Sequence, residues 1–120
     1  MELNVEMAKE EINAIGLMSG TSLDGLDVVH ATFYKQNNSW TYRVNSAKTF
    51  IYNDLLREKL SRVTTLSGLE LAFLHVELGV FFGNSVNHFL QKIELPTDFV
   101  ASHGHTIFHQ PHQSLTLQIA

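Results

Sequence analysis

The sequence predicts an α/β domain in which one β-sheet is covered by helices. Three apolar stretches separated by short polar segments occupy the first half of the chain, which is typical of an antiparallel meander of strands. Two segments with helical periodicity follow, and two further short apolar stretches come last. The resulting element order is β-β-β-α-α-β-β. A chain of 120 residues is long enough to form one hydrophobic core.

The first half of the chain is predicted to form three strands. They cover about Ile12 to Met18, Asp27 to Tyr34 and Trp40 to Tyr52. The segment between the second and third strands is rich in Asn, Gln and Ser, which favour a turn. Residues 1–11 are polar and acidic, so we expect a disordered leader there and a single domain over residues 12–120.

The first predicted helix follows the third strand directly. Asn53 is a suitable N-cap because its side chain can accept a hydrogen bond from the first turn. Three apolar residues then recur at the spacing of one buried helix face: Leu56, Leu60 and Val63.

The second predicted helix is long and apolar. Ser67 and Glu70 form a capping-box pattern at its start, and the periodicity continues to about Ile93. Because apolar residues cover much of its circumference, we expect this helix to be buried against the sheet. Gly79 and Gly83 lie on one face and would allow another backbone to approach closely.

Two strands are expected after this helix. The fourth covers about Phe99 to Ser102, and the fifth alternates from Ser114 to Ile119 after a loop that contains Pro111. We assign Trp40 and the phenylalanines to the hydrophobic core.

Composition excludes several classes of function. The net charge is −4 and the basic residues are scattered, so no nucleic-acid-binding surface is predicted. The absence of cysteine excludes disulfides and thiolate chemistry. No signal peptide or uninterrupted apolar run of membrane-spanning length is present, so we expect a cytoplasmic protein without a membrane partner.

The turn between the first two strands is rich in groups that bind phosphate. It contains two glycines, two hydroxyl residues and two carboxylates, namely Gly20, Thr21, Ser22, Asp24, Gly25 and Asp27. Glycine permits close approach of the backbone, and hydroxyls beside free N–H groups suit phosphate oxygens. Asp24 and Asp27 could hold Mg²⁺. The same composition is also that of an ordinary hairpin turn.

A second polar segment contains four histidines between residues 103 and 112. A metal site could use His103 and His105 on one strand face, with His109 or His112 as a third ligand. Alternatively, these histidines only form hydrogen bonds that support loops. We assign structural roles to His30, His75 and His88, and loop-supporting roles to His109 and His112.

Three segments together resemble the anhydro-N-acetylmuramic acid kinase family. They are Gly16 to Asp27, Ala101 to Pro111 and Leu115 to Ile119, in the family's order and at compatible spacing. The second segment departs from the common form at His105, where the family usually has Gln. Both side chains provide a hydrogen-bond donor and an acceptor, but histidine also titrates. The resemblance extends from about Ile12 and implies the N-terminal ribonuclease-H-like lobe of a two-lobed sugar kinase, with a mixed sheet.

The resemblance implies two groups of binding residues. The ATP phosphates and Mg²⁺ would contact Gly20, Thr21, Ser22, Leu23, Asp24, Gly25, Leu26 and Asp27, with Asp24 and Asp27 at the metal. The sugar would contact Ser102, His103, Gly104, His105 and Thr106. No catalytic residue is assigned within the chain, because the family's catalytic aspartate lies in a segment beyond Ala120.

The implied reaction opens the 1,6-anhydro ring of anhydro-N-acetylmuramic acid and phosphorylates its 6-oxygen with ATP, as part of cell-wall recycling. We expect the 120-residue chain to be inactive by itself and to self-associate. A non-catalytic binding or assembly lobe is the alternative, and a histidine-based metal module is the third hypothesis.

Overall fold

The computed structural model describes residues 10–120. The strands are β1 (Glu11–Ser19), β2 (Gly25–Gln36), β3 (Ser39–Ile51), β4 (Phe99–Gln110) and β5 (Leu115–Ile119). The helices are α1 (Asp54–Ser61) and α2 (Gly68–Ile93), and short 3-10 turns occupy Val63–Thr65 and Pro111–Gln113. This order confirms the predicted succession of strands and helices.

The five strands form one mixed sheet, as predicted. Their order is β3-β2-β1-β4-β5, in which β1 and β4 are parallel and the other neighbours are antiparallel. Because β1 and β4 are parallel, the carboxyl end of β1 and the end of the part of β4 that pairs with it, at His105, lie at the same edge of the sheet. This edge carries both segments that the sequence predicts to bind ligands.

The predicted leader is too long at its C-terminal end. Glu11 already belongs to β1, and the Glu10 carbonyl accepts a 2.9 Å hydrogen bond from the Lys35 N–H. The rest of the predicted leader, residues 1–9, lies outside the described residues.

The core lies between one face of the sheet and the two helices. Its most buried strand residues are Ile15, Leu26 and Val28, each at most 1 % exposed. They pack in one cluster with α1 and α2, which contribute Leu56, Leu60, Leu74, Leu78, Phe82, Val86 and Phe89. The opposite face of the sheet is not covered by any described helix, and Met18 on that face is 43 % exposed.

Both predicted helix caps are present. Asn53 accepts a 2.8 Å hydrogen bond from the Leu56 N–H, which fixes the start of α1. Ser67 and Glu70 form the reciprocal capping box of α2. These local hydrogen bonds explain why both helix starts are readable from the sequence.

The prediction that α2 is buried against the sheet holds for only part of its surface. Phe73, Val76 and Val80 are 57–68 % exposed on the side that faces away from the core. A Cβ added at Gly79 or Gly83 would meet no atom within 4 Å, so no described backbone approaches these glycines. α2 is long enough and apolar enough, with a mean hydropathy of 1.3, to cross a membrane. The core helices of soluble proteins often have the same length and hydropathy, so these two properties are only weak evidence for a membrane span.

Two other expectations are wrong. Trp40 is 49 % exposed and Phe99 is 50 % exposed, so these two rings do not belong to the core. β4 is longer than predicted and continues to Gln110, because it pairs with β5 beyond the bulge that separates Thr106 from Phe108 in the register.

Candidate functional site

The two predicted ligand-binding segments are neighbours in the structure. β1 ends at Ser19, immediately before the loop of residues 20–24, which we call the glycine loop. In the parallel pairing of β1 with β4, Leu17 lies opposite Ser102 and Ser19 opposite His105. The segment of residues 102–106 therefore lies directly beside the start of the glycine loop.

The glycine loop is a tight turn between β1 and β2, as predicted. The Leu23 N–H donates to the Gly20 carbonyl at 3.3 Å, and the Tyr52 N–H donates to the Asp24 carbonyl at 3.2 Å. Leu23 has a φ of 60°, in the left-handed region that non-glycine residues seldom adopt. The side chains of Thr21, Ser22 and Asp24 are exposed, so the hydroxyls and one carboxylate remain accessible.

Gly25 and Leu26 are buried and pack against other parts of the fold, so they do not line an open surface. A Cβ at Gly25 would lie 2.2 Å from the Phe50 carbonyl oxygen, so only glycine fits this close approach to β3. The Leu26 side chain is fully buried in the core, and Leu23 packs against the same core. Contacts from these three residues to a ligand would therefore come from their backbone.

Arg57 on α1 holds the glycine loop from the helix side of the sheet through two hydrogen bonds. Its Nε donates to the Leu23 carbonyl at 3.1 Å, and its Nη2 donates to the Tyr52 carbonyl at 3.2 Å. The described residues contain no cis peptide bond, so the C=O and N–H of one peptide unit point in opposite directions. Because the Leu23 carbonyl points toward Arg57, the Asp24 N–H points away from α1.

The two aspartates have different surroundings. Asp24 is exposed in the glycine loop, whereas Asp27 lies on β2 and accepts a 2.5 Å hydrogen bond from the Thr49 hydroxyl. Within residues 10–120, no group of three or more His, Cys, Asp or Glu side chains could hold a metal ion. Two carboxylates nevertheless fit Mg²⁺, which prefers oxygen ligands and commonly completes its shell with water and substrate phosphates.

The histidine-based metal module is not supported in the part of the chain that is described. The histidine rings of the second segment point to separate partners: His105 contacts Ser19, and His109 contacts Thr116. The structural roles assigned to His30 and His75 agree with their contacts. The His30 Nε2 lies 2.9 Å from the Pro96 carbonyl oxygen, and His75 accepts from the Ala120 N–H at 2.8 Å.

The segment of residues 102–106 divides into exposed and buried parts. Ser102 and His103 are exposed, whereas Gly104 and His105 are buried. Gly104 has a φ of 76°, and a Cβ there would lie 3.0 Å from the Ile119 carbonyl oxygen. This left-handed glycine lies within β4 at the irregularity of the β1–β4 register, between the pairs Leu17–Ser102 and Ser19–His105.

Gln118 completes the exposed polar group of this segment. Its Nε2 donates to the Thr106 hydroxyl at 3.2 Å and lies 3.4 Å from the His103 ring nitrogens. Gln118 belongs to the third segment of the family resemblance, Leu115 to Ile119, for which the sequence predicts a strand but no contact with a ligand. Antiparallel pairing of Thr106 with Gln118 brings it to this polar group.

His105 makes its polar contact inside the protein. The ring is 2 % exposed, and its Nδ1 lies 2.8 Å from the Ser19 hydroxyl. The same hydroxyl lies 2.5 Å from the Tyr52 hydroxyl, and Ser19 and Tyr52 are also buried. Burial lowers the pKa of His105, although the hydrogen bond with Ser19 opposes this shift. Burial also raises the pKa of Tyr52; the hydrogen bond with Ser19 opposes this shift, and the charge of Asp27 adds to it.

A groove of about 630 Å³ runs across the uncovered face of the sheet beside both segments. Small and apolar residues form its floor, including Gly16, Val29, Ala47 and Ala101. Polar groups also line it, namely Asp27, Lys48, Thr49, Ser102 and His103. Residues of both predicted binding groups thus border one open space.

Comparisons with known proteins identify similar sequences over nearly the whole chain. The family model described as anhydro-N-acetylmuramic acid kinase matches residues 12–120. Proteins named anhydro-N-acetylmuramic acid kinase are 35 % identical over 103 residues in Picosynechococcus sp. and 37 % identical over 103 residues in Pseudoalteromonas translucida. One from Acaryochloris marina is 32 % identical over 114 residues.

The similarity covers most of this chain but a small part of each relative. The matches span 83 %, 81 % and 90 % of the chain, in the same order of organisms. They span only 27 %, 26 % and 30 % of the respective relatives. The chain therefore corresponds to less than a third of the length of these relatives.

Proposed function

The chain belongs to the anhydro-N-acetylmuramic acid kinase family, and from this we propose that it provides the ATP-phosphate and sugar contacts of such a kinase. The kinase would open 1,6-anhydro-N-acetylmuramic acid with water and transfer the γ-phosphoryl group of ATP to the released 6-oxygen. We assign this activity to the cytoplasm, where ATP is available, with the sugar and ATP as its small-molecule partners.

The observation that carries the proposal is the adjacency of two polar segments. The parallel pairing of β1 with β4 sets the glycine loop beside residues 102–106 at the carboxyl edge of the sheet. In open α/β sheets, ligands bind outside the carboxyl ends of the strands. A phosphoryl donor and its acceptor must also lie close together, and two neighbouring polar segments meet that requirement.

We propose that the glycine loop binds the ATP phosphates. The Thr21 and Ser22 hydroxyls and the Asp24 N–H would donate hydrogen bonds to phosphate oxygens. Gly20 would allow the loop backbone to approach them, while Gly25 lets β2 lie close to β3 at the end of the loop. Bound Mg²⁺, held through Asp24 and Asp27, would neutralise the charge that develops on the transferred phosphoryl group.

We propose that the sugar binds on the other side of Ser19. Ser102, His103 and Thr106 carry side chains that can hydrogen-bond hydroxyl and acetamido groups, and Gln118 adds an amide to the same surface. His105, being buried, would act on this surface by positioning it rather than by direct contact. The reaction also needs a carboxylate base for the attacking water, and we expect that base outside this chain.

Nucleotide binding by the chain tests the proposal directly. We expect Mg-ATP, titrated into the 120-residue protein, to shift the backbone amide resonances of residues 20–27 in NMR spectra. Asp24→Asn should weaken this binding about tenfold, the range of a charge-assisted contact, and leave thermal stability nearly unchanged because Asp24 is exposed.

Glu58→Gln is the matched control, because Glu58 is an exposed carboxylate on α1 that pairs with Arg62. This variant should bind Mg-ATP like the unmodified chain. A large drop in melting temperature with unchanged binding for Asp24→Asn would instead make Asp24 a structural turn residue. Binding of Mg-ATP without any turnover in the complete kinase would favour the non-catalytic binding lobe.

A further inference from the structure

Three buried polar side chains meet where the two predicted binding segments touch. Ser19 ends β1, Tyr52 precedes α1, and His105 lies in β4. Each is at most 2 % exposed, and Tyr52 belongs to the hydrophobic core, with its ring 5.2 Å from the ring of Phe81. Buried polar groups in apolar surroundings need their hydrogen bonds satisfied, so this arrangement constrains all three residues.

The Ser19 hydroxyl is the centre of this cluster. It lies 2.5 Å from the Tyr52 hydroxyl and 2.8 Å from the His105 Nδ1. A hydroxyl has a single hydrogen and two lone pairs, so it can donate to at most one of these neighbours and must accept from at least one. If Ser19 donates to Tyr52, it must accept from the His105 Nδ1–H, and if it donates to His105, it must accept from the Tyr52 hydroxyl.

We propose that Ser19 is a positioning residue that couples the glycine loop to the segment of residues 102–106 through Tyr52 and His105. On one side, the Tyr52 N–H also holds the Asp24 carbonyl, so the position of Tyr52 determines that of the loop. On the other side, His105 follows Gly104, whose N–H donates to the Ser102 hydroxyl. Ordering of either segment would then order the other.

The inference rests on the proposed function only for the identity of the ligands. The coupling itself is a property of the free protein. Hydrogen exchange can measure it because each side has a hydrogen-bonded amide: Leu23 and Tyr52 report on the glycine loop, and Gly104 reports on the other segment. Asp98 and Lys35 have hydrogen-bonded amides at the opposite end of the sheet and serve as references.

The first test is Ser19→Ala in the 120-residue chain. We expect exchange at Tyr52, Leu23 and Gly104 to become faster by the same factor, about twofold to tenfold, as for loss of one hydrogen bond. Exchange at Asp98 and Lys35 should not change. Faster exchange on one side only, or a uniform increase at all five amides, would overturn the proposal.

The second test separates the hydrogen bond from packing. His105→Leu should speed exchange at Tyr52 and Leu23 although it lies in the other segment. His105→Asn, which keeps a polar atom near the position of Nδ1, should restore the original rates. Thr32→Val is the matched control, since Thr32 is a 2 % exposed polar residue bonded to Asn13 at the far end of β1. Equal effects of His105→Leu and His105→Asn would contradict the proposed role.

The third test adds ATP as the probe. In the unmodified chain, ATP should slow exchange at Leu23 and also at Gly104, whereas in Ser19→Ala it should slow exchange at Leu23 alone. Slowing at Gly104 in both proteins would overturn the coupling. If ATP slows neither amide, the proposed function fails, and the first two tests still decide whether Ser19 couples the segments.

Discussion

Arg57 illustrates how a single residue can fix the geometry of a loop that lies far away in sequence. Its guanidinium contacts the carbonyls of Leu23 and Tyr52, and it also reaches the Asp54 carboxylate at 3.4 Å. The planar guanidinium of arginine can donate to two carbonyls at once from fixed positions, and a lysine ammonium cannot reproduce this geometry. The surface ion pair with Asp54 contributes little, so the main role of Arg57 is to orient the glycine loop.

His105 should make the stability of the protein depend on pH. Burial lowers its folded-state pKa below the ordinary value of 6.5, so the unfolded chain binds more protons on acidification. Stability should therefore fall as the pH decreases below about 6.5, by at most about 1.4 kcal/mol per pH unit from this residue, until the folded-state pKa is passed.

Urea denaturation at several pH values between 5 and 7.5 checks this expectation, with His105→Asn as the comparison. The unfolding free energy of the unmodified chain, taken relative to that of His105→Asn, should decrease as the pH falls. A difference that stays constant with pH would show that His105 does not titrate differently in the folded and unfolded states.

At the scale of the elements, glycine has opposite roles at the start of β2 and within α2. Gly25→Ala should destabilise the pairing of β2 with β3, because its Cβ would overlap the backbone of Phe50. We expect a loss of about 1–3 kcal/mol or more, the usual result of overpacking. Thermal unfolding measures this loss.

Gly79→Ala is the matched control on α2. The added methyl meets no atom within 4 Å, and alanine is the better helix former. We expect a gain of about 0.5–1 kcal/mol. Destabilisation by Gly79→Ala would mean that this face of α2 is already covered in solution.

At the scale of the whole molecule, two apolar surfaces remain uncovered within the described residues. One is the exposed side of α2, formed by Leu69, Phe73, Val76 and Val80. The other is the sheet face opposite the helices, where the apolar groove lies. Apolar patches of this kind favour association, and the exposed edge strand β3 adds unpaired backbone groups.

We expect the 120-residue chain to self-associate as its concentration rises. Sedimentation velocity should show an increasing mass, and Phe73→Lys with Val80→Lys should shift the protein toward the monomer. Lys92→Glu, a charge change near the end of α2, serves as the control and should have no such effect. A monomer over a wide concentration range would show that these surfaces do not self-associate.

We also expect no turnover by this chain with ATP and anhydro-N-acetylmuramic acid. The base for the attacking water is not assigned to any of its residues, so general-base catalysis of this step would be missing. A coupled assay for ADP, with a parallel search for the phosphorylated sugar, measures this. Product above the level without enzyme would show that the chain contains its own catalytic base.

The local features of this protein follow from its sequence, because neighbouring residues create them. Both helix starts are determined by caps within four residues, at Asn53 and at Ser67 with Glu70. The glycine loop is likewise predictable from its Gly, Ser and Asp content, and the family signatures indicate the kinase family. The partial exposure of α2 was not predictable, since apolar periodicity does not show how many faces have a partner.

Only the tertiary structure brings the two predicted binding segments together and determines which of their side chains remain accessible. Arg57 reaches Leu23 across 34 residues, and Ser19 reaches His105 across 86. Such contacts depend on the pairing of β1 with β4 and on the left-handed Gly104, where the strand register changes. His105 is buried for this reason, whereas its position in a polar motif suggested contact with the sugar. A sequence motif fixes which groups are available, but strand register decides which of them face the ligand.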